Sequence, residues 1–148
     1  MQDDPQTSVQ GIPAPIDEPM IRELVHTFYA RVRQDDVLGP IFNDAIADWD
    51  AHLEKLCQFW SSVMLKTGRY KGAPMQVHAR LPAISAEQFD RWLAHFRDVA
   101  AAVCPPEAAA LFIDRAQRIA QSLELGIALH RGQLLGVGER LRAGGASQ

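Results

Sequence analysis

Apolar residues recur three and four positions apart through most of this chain, and no useful length of it alternates apolar and polar residues. Because an α-helix turns once every 3.6 residues, this spacing collects apolar side chains on one helical face. A half-buried strand would need a period of two instead. The pattern therefore predicts an all-α fold.

Capping residues, glycines and prolines divide this pattern into separate helices. Ser85 and Gln88 have the spacing of a capping box, and Pro74 is tolerated as a first helical residue. The first predicted helix starts at Asp17 and stops before Gly39 and Pro40, and the second starts at Asp48 or Asp50 and ends at Gly68. Further helices are predicted over 74–81 and 85–103, and a last one follows Pro105 and Pro106 and ends near Gly132.

The chain has 148 residues, which suits one domain with one core. Residues 1–15 mix Gly, Pro, Gln and Asp without periodicity, and we expect them to be a disordered extension. Residues 132–148 are rich in glycine and are expected to form a flexible tail. The domain itself is predicted to span 16–131.

Charge and composition exclude several classes of function. The net charge of -3 and pI near 5.9 give no electrostatic reason to expect a nucleic-acid or anionic membrane partner. No signal-peptide pattern or membrane-length apolar run is present, so we expect a cytoplasmic protein. Cys57 and Cys104 lie in apolar helical patterns without CxxC spacing, which favours buried thiols over a disulfide or zinc site.

Common catalytic templates are missing from the sequence. It contains no GxGxxG, P-loop, HExxH or GxSxG motif, and no two of its five histidines are three or four residues apart. A metal site assembled locally along one helix is therefore not predicted.

Five short patterns follow one another in a specific order. They are FY at 28–29, LGPIF at 38–42, HLxKLxxFW at 52–60, GRYKGxPMxVHxxLP at 68–82 and FxxWLxxF at 89–96. With these patterns the chain resembles the third group of truncated haemoglobins from about residue 16 to about 130. The resemblance implies a two-over-two helical sandwich around haem b, iron protoporphyrin IX.

The resemblance assigns His78 as the proximal ligand of the haem iron. On periodicity alone, a single histidine in a short helix is more often structural than a ligand. On the other side of the iron the resemblance places Tyr29 and Trp92, whose O–H and N–H groups suit the partial negative charge of bound dioxygen. His52 matches the family's distal histidine, and the resemblance implies that it acts either as a swinging gate or as a second axial ligand. A partly exposed helix histidine with neither role is the alternative.

The remaining pocket positions are walls and edges. Phe42 matches the phenylalanine that packs on the haem, and the positively charged or polar residues Lys55, Arg69 and Tyr70 are candidates to pair with the propionates. The other predicted wall residues are apolar: Leu56, Phe59, Met64, Met75, Leu81, Phe96 and Ile119.

A pocket with two donors should hold dioxygen tightly, which suits redox chemistry on the gas better than its delivery or storage. The resemblance thus implies binding of O2, NO and CO, with NO dioxygenation or peroxide turnover supported by an external reductase. Two alternatives stay open. One is a haem-based sensor that acts through a partner protein, and the other is a helical bundle without a cofactor.

Overall fold

A computed structural model describes residues 16–68, 70, 85–133 and 139–142 of the chain. All the regular secondary structure of these residues is α-helical, which confirms the predicted fold class. The helices are α1 (Glu18–Arg33), α2 (Leu38–Ala45), α3 (Trp49–Leu65), α4 (Ala86–Val103) and α5 (Pro106–His130). The short helix predicted over 74–81 lies outside the described residues.

The predicted caps of α1 and α3 are present. The Asp17 carboxylate accepts from the backbone N–H of Met20 at 3.0 Å, and the Asp48 carboxylate accepts from that of Ala51 at 3.1 Å. Each bond satisfies a backbone donor that has no partner within its own helix. α3 ends at Leu65, and its C-cap Lys66, which adopts the left-handed conformation (φ 60°), lies two residues before the predicted stop at Gly68.

The helix α2 was not predicted, because Gly39 and Pro40 were interpreted as a stop. Both instead lie in its first turn, where the missing N–H of proline costs nothing. A Cβ on Gly39 would lie 2.6 Å from the carbonyl oxygen of Arg33. The glycine therefore permits a close approach between α2 and the end of α1, and the sequence pattern alone did not distinguish this role from helix termination.

The main core lies where α1 packs against α3 and α4, and α4 in turn packs against α5. Its largest fully buried side chains include Phe28, Phe96 and Phe112. A second, smaller cluster forms between α4, α5 and Leu141, which belongs to the described segment 139–142. This segment lies within the tail that the sequence predicted to be flexible.

The cysteines and the apolar character of the helices were also predicted from the sequence. Neither Cys57 nor Cys104 forms a disulfide, and both are buried, as predicted. No helix in the described part of the chain is long and apolar enough to cross a membrane.

Candidate functional site

Tyr29 lies at the centre of a group of aromatic rings between α1, α2 and α3. Its side chain is buried, with the residue only 5 % exposed. Its ring centroid lies 4.6 Å from that of Phe28, 6.2 Å from Phe42 and 6.1 Å from Trp49. Rings on several sides hold the phenol in one position.

Trp92, on α4, supplies the polar partner of this phenol. Its indole N–H, which can only donate, lies near enough to the Tyr29 oxygen to favour the ionised phenol, and so opposes the effect of burial on the pKa. The Trp92 ring also packs edge-on against Phe28 at 5.2 Å and stacks on Phe96 at 5.7 Å. The structure thus brings together the two residues that the resemblance assigned as donors.

The phenol of Tyr29 stays protonated over the whole physiological range. Burial raises its pKa to about 12, although the hydrogen bond from Trp92 acts in the opposite direction. The phenol therefore keeps its own hydrogen and can donate it. Within the described residues no contact provides an acceptor for that hydrogen. A buried donor without an acceptor is costly, which points to a ligand at this position.

A cavity of about 30 Å³ adjoins the pair. A space of this size holds about one water-sized or diatomic molecule. Of the predicted site residues, Tyr29, Phe42 and Trp92 line it. Sequence reasoning missed the other lining residues, which are Leu38, Gln88, Phe89, Ala120 and Leu123. Their helical spacing marked most of them as apolar face residues, but gave no sign of which ones border a cavity.

His52 and Tyr29 are linked through a residue that the sequence did not single out, Trp49. The ring of His52 meets that of Trp49 edge-on at 5.8 Å. Trp49 itself is fixed on two sides, since its indole donates to Asn43 at 3.0 Å and the Arg33 guanidinium lies 4.6 Å from its ring centroid. The ring of His52 therefore lies against an indole that has contacts on two other sides.

The predicted wall residues on α3 lie at the margin of the core. Leu56, Phe59 and Met64 are half-buried, whereas Lys55 on the same helix is exposed. The ring of Tyr70 lies 5.2 Å from that of Phe59, and burial raises the pKa of its phenol. Leu56, Phe59 and Met64 thus leave apolar surface of α3 partly uncovered, and Lys55 is an exposed cation on the same helix.

Two other predicted wall residues lie away from the cavity. Phe96 is fully buried, stacked between Trp60 and Trp92 at 5.4 and 5.7 Å. Ile119 packs against the main core, while the neighbouring Ala120 lines the cavity.

Four predicted site residues lie outside the described part of the chain: His78, Arg69, Met75 and Leu81. The role of His78 as iron ligand therefore stays a prediction. Among the residues that are described, no three His, Cys, Asp or Glu side chains come together in a way that could hold a metal ion.

Comparison with known proteins now identifies the family. A sequence model of the bacterial-like globins matches residues 17–124. The chain belongs to this family. The globin is 36% identical over 113 residues to the group 3 truncated haemoglobin of Campylobacter jejuni, a match that covers 74% of this chain and 89% of the relative. The predicted resemblance to the third group is confirmed.

Solved structures agree with this assignment. The crystal structure of the Campylobacter jejuni group III truncated haemoglobin superimposes with a TM-score of 0.70, covering 74% of this globin and 89% of that chain. The haemoglobin of Chloroflexus aurantiacus, 27% identical, gives a TM-score of 0.58 over 72% of this globin and 89% of its own chain. Membership of the family implies ligand binding based on haem.

A buried carboxylate connects the two walls of the globin's cavity. Asp35, whose side chain is 4% exposed, accepts from the backbone N–H groups of Val37 and Leu38 at the start of α2. It also bonds to the Arg91 guanidinium at 2.8 Å and lies 2.5 Å from a ring nitrogen of His95. Arg91 and His95 lie on either side of Trp92 in the sequence of α4, so this cluster joins α4 to the start of α2 close to Trp92.

We expect Asp35→Asn to lower the free energy of unfolding by about 2 kcal/mol, the scale of hydrogen bonds to a buried charge. Burial alone would raise the pKa of Asp35, but bonds from Arg91, Leu38, His95 and Val37 outweigh it and hold the pKa well below its usual range. The stabilisation is thus complete above the ordinary pKa of about 3.9, and is lost as pH falls from there through the lowered folded pKa.

Urea unfolding of the wild type and of Asp35→Asn between pH 7 and pH 3 measures this loss in the free energy of unfolding. The difference between them should be largest near neutral pH and shrink below about pH 4. Asp98→Asn is a matched control, because Asp98 forms an exposed ion pair with Arg31 at 2.9 Å and should contribute less than about 1 kcal/mol. A difference for Asp35→Asn that stays constant with pH would contradict the assigned role.

Proposed function

We propose that this globin binds haem b, with the iron held by His78, and carries out redox chemistry on dioxygen bound beside Tyr29 and Trp92. The observation that carries the proposal is the buried phenol and indole pair, whose phenol hydrogen has no acceptor among the described residues. A bound gas molecule with partial negative charge would supply that acceptor.

The described residues fit a haem in two further respects. The apolar edge formed by Leu56, Phe59 and Met64 on α3 is only half-buried, as expected of side chains that a macrocycle would cover. Lys55 is exposed beside this edge, where a propionate would meet it. When bound, the haem would supply the electron that reduces the ligand.

The protein's own contribution is to hold the ligand and stabilise charge on it. Tyr29 donates its O–H, and Trp92 orients that phenol and stands beside the same cavity. His52, resting on Trp49, would control entry from its side of the pocket. Tight retention of dioxygen favours NO dioxygenation or peroxide turnover over transport. The proposal includes an external reductase, which would return the iron to its reduced state, and a cytoplasmic location.

Stopped-flow mixing of the oxygenated protein with NO tests the proposal. We expect conversion to the ferric spectrum with about one nitrate formed per haem, since the donors stabilise the charge that develops as the O–O bond breaks. Parallel addition of haem to the apoprotein should first produce a Soret band at a ratio of about one haem per chain.

The same experiment separates the alternatives. Ferrous protein that exchanges dioxygen for NO without forming nitrate, and that also fails to turn over peroxide, would contradict the redox proposal and favour a sensor. Absence of a Soret band after haem addition would contradict haem binding by this chain altogether.

A further inference from the structure

Residues 139–142 lie across the beginning of α4 and the end of α5. The carbonyl of Leu141 accepts from the backbone N–H of Ala86, the first residue of α4, at 3.0 Å. The carbonyl of Arg142 accepts from side chains of Arg131 and Gln133, just after α5, at 2.9 and 3.1 Å. Backbone groups of this short segment thus join two separate helix ends.

The side chain of Leu141 fills a gap between the same helices. Leu141 is 3% exposed and packs in one cluster with Phe89 on α4 and Ala120 on α5. Phe89 and Ala120 also line the cavity beside Tyr29 and Trp92. Leu141 therefore packs in the same cluster as two residues of the cavity wall and helps to hold them in place.

A buried carboxylate fastens the segment to α5. Glu124 is 7% exposed and accepts from Arg140 through both carboxylate oxygens, at 2.6 and 2.9 Å, and from the backbone N–H of Leu141 at 2.9 Å. Arg140 also bonds to Asp90 on α4 at 3.0 Å. These bonds raise the pKa of Arg140 further above its usual range. A carboxylate this deeply buried needs such partners, so Glu124 and the segment depend on each other.

The segment lies beyond the part of the chain that the family model matches, which ends at residue 124. Ser85 and Gln88 bond to each other at 2.5 Å through their side chains, and the Ser85 side chain makes no capping bond to the α4 backbone. The Leu141 carbonyl takes up the N–H of Ala86 instead. This hydrogen bond from the tail therefore holds the start of α4. In the sequence, the start of α4 follows eight residues after His78.

We infer that residues 139–142 form a strap that positions the start of α4 and the neighbouring cavity wall of this globin. Arg140 and Leu141 are its positioning residues. The inference rests on the proposed function. The strap fixes the start of α4 and the wall formed by Phe89 and Ala120. Loosening it should let the wall move relative to Tyr29 and Trp92 while leaving the helices folded.

The test uses full-length holoprotein with Arg140→Gln or Leu141→Ala. We expect haem transfer to excess apomyoglobin to accelerate roughly tenfold, the scale on which supporting residues affect a metal site. The C–O stretching band of the CO complex should also broaden or shift, because the Tyr29 and Trp92 donors near the ligand become less fixed. Leu141→Met, which keeps most of the apolar volume, should restore both properties.

Arg118→Gln is the matched control, since Arg118 forms an exposed pair with Asp114 on the same helix α5 at 3.0 Å. It should leave both readouts unchanged. Folded Arg140→Gln and Leu141→Ala proteins with wild-type haem transfer and an unchanged C–O band would overturn the strap. A wild-type chain that takes up no haem would overturn the proposed function instead, so the two failures are distinct.

Discussion

His78→Ala is expected to remove the ability of this globin to retain haem. The imidazole would be the bond between protein and iron, and replacing a residue that only supports such a ligand already costs roughly 10- to 100-fold in metal affinity. We therefore expect haem transfer to apomyoglobin to accelerate by more than about 100-fold. The Soret band should weaken and shift at equal haem concentration.

The described histidines strengthen this expectation by their positions. His26 is exposed on α1 near Arg22, His130 is exposed at the end of α5, and His95 is engaged with Asp35. His52 lies beside Trp49, on the side of the pocket assigned to the gas ligand.

Two variants serve as controls for His78→Ala. His26→Ala should retain haem as the wild type does, since its side chain is exposed. His78→Gly with added imidazole should recover the spectrum, because free imidazole can occupy the space left by the side chain. A His78→Ala protein that retains haem with an unchanged spectrum would show that the ligand is another residue.

The sequence was sufficient to predict the helices that carry strong periodicity and a capping residue. α1 begins at its predicted cap Asp17, and α3 begins at Asp48, one of the two caps predicted for it, because a carboxylate at a helix start makes a local bond that tertiary packing does not override. α2 was missed because Gly39 is required by its close approach to the carbonyl oxygen of Arg33, which is a contact between two helices. No local pattern contains that information.

The candidate site divides in the same way. Tyr29, Phe42 and Trp92 lie together as the family resemblance implied. Trp49 and the strap were not anticipated, because their roles depend on distant partners: Trp49 on Arg33 and Asn43, and Leu141 on Phe89. Glycines in residues 132–148 indicated flexibility by composition, whereas residues 139–142 are docked by the buried Leu141, by ion pairs of Arg140 with Glu124 and Asp90, and by backbone hydrogen bonds.

Tyr29→Phe is expected to accelerate dioxygen dissociation roughly 30-fold, which corresponds to losing about 2 kcal/mol from a hydrogen bond to a charged acceptor. The substitution removes one oxygen atom and keeps the ring contacts with Phe28, Phe42 and Trp49. Stopped-flow displacement of dioxygen by CO measures the rate. Tyr70→Phe is the matched control, since Tyr70 contacts Phe59 away from the cavity and its loss should leave the rate within about twofold.

A double-mutant cycle of Tyr29 and Trp92 measures how much each of these two residues contributes to retaining dioxygen. If Trp92 acts only by orienting the phenol, Trp92→Phe should raise the dissociation rate in the wild type and have no effect in Tyr29→Phe. If the indole also donates to the gas once the phenol is gone, Trp92→Phe should accelerate dissociation in both backgrounds. We expect the first outcome, because the indole N–H acts as a donor on the Tyr29 oxygen. Unchanged rates in both single variants would remove this pair from dioxygen binding, since a buried donor that faces the ligand cannot be deleted without effect.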